Sequence, residues 1–348
     1  ERNWLLQEAL KLQSEGKADW CISIDGDEVY EDKFVEQVQK YMAPRNPEIF
    51  GYSYQWRTIW SKIDGEEYYR KDSTFGQFMN YRFFRLIPGQ MITSRHPEGH
   101  HCGSAPYIAI DNIAWANFRV RHLGYDTHEQ RMLKYKFYQE NDHFQNARDI
   151  GHEDYSHLVD INVILERYKK DAGVSLVSMI KNEEDQIIPF LENIEPLVDE
   201  IIIADTGSTD KTLELIEKFA RYSRVPVKVF SFPWCDNYSA PRNYAKSKAT
   251  QPWILMMDAD ERFEHEDLEK LFRITETEAD IVVFHVINYL KKTLPGQKPI
   301  YASTEAARLF RNKPELYSTG IIHETIDDAM GAFKGPIGLN VVKSDVLL

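Results

Sequence analysis

Apolar and polar positions fall into two alternating patterns along the second half of the chain. Ser175-Leu176-Val177-Ser178-Met179-Ile180 is a short apolar run of strand type. The stretch after it places Ile187, Ile188, Leu191 and Ile194 on one helical face, with Asn182 as its expected N-cap and Glu183 and Glu184 in its first turn. Glu200 to Ala204 reads as a strand buried on both faces, as in a parallel sheet. A helix from Lys211 turns Leu213, Ile216 and Phe219 inward, and Val225 to Phe230 returns as a strand. Trp253 to Met257 is a further buried strand. Strand and helix in alternation predict a doubly wound α/β sheet, whose ligands collect at the carboxyl ends of its strands.

The first half carries a partial echo of this order. Arg2-Asn3 and then Trp20-Cys21-Ile22-Ser23-Ile24-Asp25-Gly26-Asp27-Glu28 parallel Arg242-Asn243 and then Trp253-Ile254-Leu255-Met256-Met257-Asp258-Ala259-Asp260-Glu261. Arg82-Phe83-Phe84-Arg85 parallels Arg308-Leu309-Phe310-Arg311, and each copy then reaches a histidine, His96 or His323. An ordered series of unlike motifs predicts a duplication. The boundaries expected from it are 1–172 for the C-terminal part of a first unit and 173–348 for a second unit lacking its C-terminal end. Tyr125 to Tyr168, with Met132, Tyr135 and Tyr138 at helical spacing, reads as helices closing the first unit. The chain opens at Glu1 without a methionine and stops within an apolar run, as a piece of a longer protein would.

Composition narrows the function. A formal charge of -13 over 348 residues disfavours a nucleic-acid scaffold, which needs a basic face. No apolar run approaches the roughly 20 residues of a membrane-spanning helix, so no integral membrane segment and a cytoplasmic location are expected. Cys21, Cys102 and Cys235 are odd in number and lack close paired spacing, which argues against disulfides or structural zinc. His96, His100, His101 and Cys102 crowd one loop without a distant partner pair, an arrangement that disfavours zinc there.

The sharper chemistry is acidic. Asp205, in Asp205-Thr206-Gly207-Ser208-Thr209-Asp210, ends a strand where its carboxylate can accept hydrogen bonds from a base or ribose, or simply organise the turn, with Ser208 or Thr209 capping the next helix. Asp258-Ala259-Asp260 projects two carboxylates from another strand end, where a hard divalent cation, Mn2+ or Mg2+, can bridge them to a diphosphate. His323-Glu324 follows Tyr317-Ser318-Thr319-Gly320; His323 could ligate the metal or contact phosphate, and Glu324 or Glu305 could deprotonate an acceptor hydroxyl.

Lys181-Asn182-Glu183-Glu184, the Asp205 to Thr212 turn, Ser239-Ala240-Pro241-Arg242-Asn243 and Asp258-Ala259-Asp260-Glu261 together resemble the family 2 glycosyltransferases of the GT-A fold. The resemblance implies a mixed doubly wound sheet and a nucleotide-sugar donor, usually uridine-linked. It implies transfer to a saccharide, peptide or other hydroxyl acceptor, with inversion. It places Asp205 near the base, Arg242 near the nucleotide, Asp258 near the ribose and Asp260 on the metal. In the first unit Asp25, Asp27 and His96 stand at the matching positions, and His122-Leu123-Gly124-Tyr125 is similar to a closing element whose histidine faces phosphate or metal. Pro97 stands where Glu324 would be, so a shared base is not expected. A nucleotidyltransferase of similar sheet would need a Gly-rich loop that Met179 to Asp185 lacks, and a non-catalytic carbohydrate-binding module is the remaining alternative.

Overall fold

A computed structural model describes residues 2–42, 47–70, 77–91, 105–141, 155–160, 162–168, 173–264, 267, 270–271, 274–275, 277–291, 300–320, 325–327 and 339–348. The chain divides into two compact units, Glu1–Tyr168 and Lys169–Leu348.

The first unit runs α1 (Arg2–Ser14), β1 (Trp20–Ile22), β2 (Glu28–Tyr30), α2 (Asp32–Met42), β3 (Gly51–Ile63), β4 (Glu66–Arg70), β5 (Gln77–Arg85), β6 (Ile113–His122), α3 (His128–Asn141) and β7 (Leu165–Arg167). Its sheet has the order β1-β5-β3-β4-β7, with β6 joined to β3 and to β2. The core is aromatic: Tyr41, Tyr52, Tyr54, Trp56, Phe83 and Phe118 are buried together. Met132, Tyr135 and Tyr138 lie half-buried along α3, as their spacing predicted. Leu165–Arg167, expected in a helix, is instead a strand, because its backbone completes the edge left by β4.

The second unit runs β8 (Val174–Ile180), α4 (Ile187–Ile194), β9 (Glu200–Asp205), α5 (Thr212–Tyr222), β10 (Val227–Ser231), α6 (Ser239–Lys246), β11 (Trp253–Met256), β12 (Ile281–Lys291), β13 (Ile300–Arg311), β14 (Tyr317–Thr319), β15 (Thr325–Asp327) and β16 (Val341–Leu347). Its 7-stranded sheet has the order β10-β9-β8-β11-β13-β12-β16. Strands β8 to β11 pair in parallel, β13 lies antiparallel to both β11 and β12, and β16 is parallel to β12. This is the doubly wound mixed sheet expected of a GT-A fold. Every residue of β9 is buried, as the continuous apolar run required. Helix α4 buries Ile187, Phe190, Leu191 and Ile194, spaced along one face of a 3.6-residue period. Phe190 takes the inward place expected of Ile188, and α5 buries Thr212, Ile216 and Phe219 while Leu213 stays 40% exposed.

Candidate functional site

The parallel strands β8, β9 and β11 end on one side of the second unit, and two loops there are stitched together. Asn182, expected as a helix N-cap, sits in the left-handed region at φ 58 and bridges to the neighbouring loop instead. Its Oδ1 accepts the Thr209 N–H at 2.7 Å, while its own N–H donates to Ser208 Oγ at 3.0 Å. Glu184 N–H donates to Asp210 at 3.1 Å, Lys211 N–H donates to Glu184 at 3.0 Å, and Glu183 N–H donates to Thr212 Oγ1 at 2.7 Å. Ser208 and Thr209 therefore do not cap α5; the side chain of Asp210 receives the Thr212 N–H at 3.0 Å. This cross-loop lacing holds the strand ends in a fixed shape before any ligand arrives.

Asp205 is 5% exposed. Its carboxylate accepts the N–H groups of Gly207 and Ser208 at 3.2 and 3.1 Å, so it organises the turn that follows the buried Thr206. Gly207, at φ 109, supplies the positive φ this turn requires.

An open cleft of about 450 Å³ lies at the strand ends, lined by Lys181, Glu183, Thr206, Arg242, Asp258 and Asp260, with Trp234 and Tyr238 at its wall. Three of the sequence-selected residues, Arg242, Asp258 and Asp260, thus meet in one place. Arg242 projects from α6 and donates to Asp258 Oδ1 at 2.7 Å. The rest of that motif faces the β14 hairpin: Ser239 Oγ donates to the Gly320 carbonyl at 2.6 Å, and Asn243 exchanges hydrogen bonds with the Ser318 backbone at 2.7 and 2.8 Å. The spacing of Ser239, Arg242 and Asn243 puts all three on one side of the helix.

A second basic group steadies the acidic turn. The Asp258 N–H donates to Glu261 at 3.0 Å, and Arg308 on β13 grips Glu261 through Nε and a terminal nitrogen at 3.1 and 2.6 Å, with Asp258 3.8 Å away. Burial pushes the Glu261 carboxyl up against the opposing pull of Arg308. Burial also raises Glu183, and the nearby carboxylates of Asp260, Asp258 and Asp210 raise it further. Asp260 itself is exposed on the cleft. The carboxylates gathered around Glu183 form an oxygen-rich, anionic mouth of the ligand type a hard divalent cation takes. Among the described residues, no three His, Cys, Asp or Glu side chains converge as a complete cage. A cation held at this mouth would have to take its remaining oxygens from a bound phosphate or water.

Glu305 is not gathered into this cleft. It lies on β13 opposite His285, with Lys343 Nζ at 2.9 and 2.8 Å from its two oxygens, and that hydrogen bonding holds its carboxyl below the ordinary range. His323, Glu324 and His96, with the crowded His100, His101 and Cys102, lie outside the described residues. Sequence reasoning assigned no role to Trp234, Tyr238 or Arg308. The signals available for them were an aromatic pair ahead of α6 and the recurrence of the Arg82 motif at Arg308.

In the first unit, Asp25 and Glu28 both accept from Arg82, Asp25 at 2.8 Å. Asp27 Oδ2 lies 3.2 Å from His122 Nε2 and 3.7 Å from Lys134 Nζ. The hydrogen bond with His122, aided by the charge of Lys134, draws the Asp27 carboxyl down to about 2. The His122 ring is set between Trp56 and Tyr125, with centroids 5.3 and 5.2 Å away.

The family model for Glycosyl transferase family 2 matches residues 175–335, all within the second unit. The second unit belongs to glycosyltransferase family 2, a class of enzymes. Among similar proteins, a TPR repeat-containing protein of Synechococcus elongatus is 32% identical over 163 residues, 47% of this chain and 38% of that protein. The lipopolysaccharide core biosynthesis glycosyltransferase LpsC of Rhizobium meliloti is 31% identical over 105 residues, 30% of this chain and 38% of that protein. The chain therefore spans well under half the length of either relative. Among solved structures, residues 1–349 of S. aureus TarS superpose with a TM-score of 0.31 at 24% identity, covering 35% of this chain and 38% of that one. Among the described residues no helix is long and apolar enough to cross a membrane.

Proposed function

We propose that the second unit transfers a sugar from a nucleotide-sugar donor, of the uridine-linked type, to an acceptor hydroxyl, with inversion and with help from Mn2+ or Mg2+. The observation that carries this reading is the meeting of Arg242, Asp258, Asp260, Glu183 and Thr206 in one cleft at the ends of parallel strands. Thr206 and the Lys181 loop form the side suited to base and ribose. Asp258, held by Arg242 at 2.7 Å, is oriented to accept a ribose hydroxyl. Asp260, with the donor phosphates, would hold the cation, which neutralises charge on the departing nucleoside diphosphate.

The acceptor hydroxyl must lose a proton as the new bond forms. Glu324 and Glu305 are the two groups proposed for this, with His323 beside the former. The pairing of Glu305 with Lys343 favours Glu324, because a carboxylate already stabilised by an ammonium is the weaker base. Calorimetric titration with several nucleoside diphosphates, with and without Mn2+, tests the assignment. Metal-dependent binding that disappears in Asp260→Ala is the expected result, and metal-independent binding indifferent to that substitution would refute it. Manganese-dependent donor hydrolysis separates an enzyme from a binding module.

A further inference from the structure

Strands β12 and β13 continue past their neighbours in the sheet. The β11–β13 pairing reaches Leu255↔Leu309 and the β12–β16 pairing reaches His285↔Leu347, while β12 and β13 stay paired with each other as far as Tyr289↔Tyr301. Because β13 runs antiparallel to β11, its first half and the second half of β12 extend beyond the end of β11, on the side of the cleft. The register steps from Val282↔Leu309 to Val283↔Ala307, which leaves Arg308 as the extra residue of a bulge. From Val283 to Tyr289 the pairing is regular, and side chains alternate between faces. His285, Ile287 and Tyr289 therefore share one face with Glu305, Ser303 and Tyr301.

That face is aromatic at its outer end and hydrogen-bonding nearer the sheet. Tyr289 and Tyr301 stand directly opposite one another and are 67% and 57% exposed. Ser303 and Glu305 are exposed beside them, and Lys343 Nζ lies 2.9 and 2.8 Å from the two Glu305 oxygens. A pyranose ring has the complementary character, with C–H bonds on its faces and hydroxyls around its rim. The negative face of an aromatic ring attracts the weakly positive C–H hydrogens, and hydroxyls pair with carboxylate, ammonium and serine groups. We propose that this face of the hairpin binds a saccharide acceptor, one ring stacking on Tyr289 and Tyr301 and the next rings leading past Ser303 and Glu305 toward the cleft. The inference rests on the proposed sugar transfer and supplies that reaction's acceptor class. Tyr301 lies seven residues before Arg308, roughly 20 Å of strand at about 3.3 Å per residue. Arg308 holds Glu261 beside Asp258, so a chain seated on the tyrosines must cover that span to present its end in the cleft. A single sugar is too short; an oligosaccharide of several rings is not.

A printed array of mono- to hexasaccharides, probed with the full chain, tests this. Retention on longer glycans and not on monosaccharides is expected. For a retained glycan, calorimetry should show affinity lowered on the order of tenfold or more by Tyr289→Ala with Tyr301→Ala, and held within about threefold by Tyr289→Phe with Tyr301→Phe, which keeps both rings. Both side chains are exposed, so neither pair of substitutions opens a cavity in the core, and thermal unfolding checks that each variant is folded. Retention of no glycan, or equal affinity in the alanine variant and the unaltered protein, overturns the inference. Equal losses in the alanine and phenylalanine variants overturn the stacking on which it depends. Mn2+-dependent nucleotide binding without glycan retention removes the hairpin site and leaves the donor reading standing. Glycan retention without nucleotide binding removes the donor reading alone.

Discussion

The two units build one acidic turn on unlike foundations. In the second, the turn follows a sheet packed with Val177, Ile202, Ala204, Ile254, Met256 and Ile281. In the first, where Trp20 pairs with Arg85 as Trp253 pairs with Arg311, the same strand registers are packed with Tyr41, Tyr52, Tyr54, Trp56, Phe83 and Phe118. Backbone pairing and the Arg–Glu grip are common to both, whereas the side chains that fill the interior are not. Register is a discrete property, since a slip by one residue turns every side chain to the other face, while a core can be refilled by other apolar groups of suitable volume.

Loss of Asp260 should sharpen the contrast most. Asp260→Asn is expected to lower nucleotide-sugar turnover on the order of 10²–10³-fold, the scale of losing several kcal/mol of charge stabilisation, measured by release of nucleoside diphosphate with Mn2+. The two tryptophans come next. Trp253 is fully buried, donates to the Thr275 carbonyl at 2.9 Å and lies under Arg311, so Trp253→Ala should cost about 3–5 kcal/mol in urea denaturation. Trp20 is only half-buried against Tyr52 and Phe83, and Trp20→Ala should cost roughly half as much; equal costs would break the comparison.

A smaller effect is expected at Arg308. Arg308→Gln should weaken Mn2+–nucleotide binding about 10–100-fold, as loss of a group that orients a ligand does, with Arg308→Lys recovering part of it. The smallest is a pH effect confined to the first unit. Burial lifts the Glu28 carboxyl from 4.5 to about 7, outweighing the attraction of Arg82. The unfolded chain therefore ionises first, and stability should decline as pH rises from about 4.5 to about 7. Glu28→Gln should flatten that decline, as measured by thermal unfolding across the range.

The sheet of the second unit was legible in sequence because its strands are uninterrupted apolar runs, so Glu200–Asp205 and Trp253–Met256 fall close to where the pattern put them. The cleft was legible at Arg242, Asp258 and Asp260, whose spacing relative to a strand end carries chemical meaning. What escaped was long-range. Asn182 looks like a helix cap when only its neighbours are considered, but its partner is Thr209, across two loops. Arg308 meets Glu261 only once β13 lies beside β11. Leu165–Arg167 has no strand signature of its own and is recruited by an open edge.

Helix α6 has its Arg242 on the strand-end cleft and its Ser239 and Asn243 on the β14 hairpin. Both sets of contacts leave from one side of this short helix, so a tilt toward the cleft pulls on the hydrogen bonds to the hairpin. A displacement of Arg242 is thereby passed to Ser318 and Gly320 through a single turn of helix.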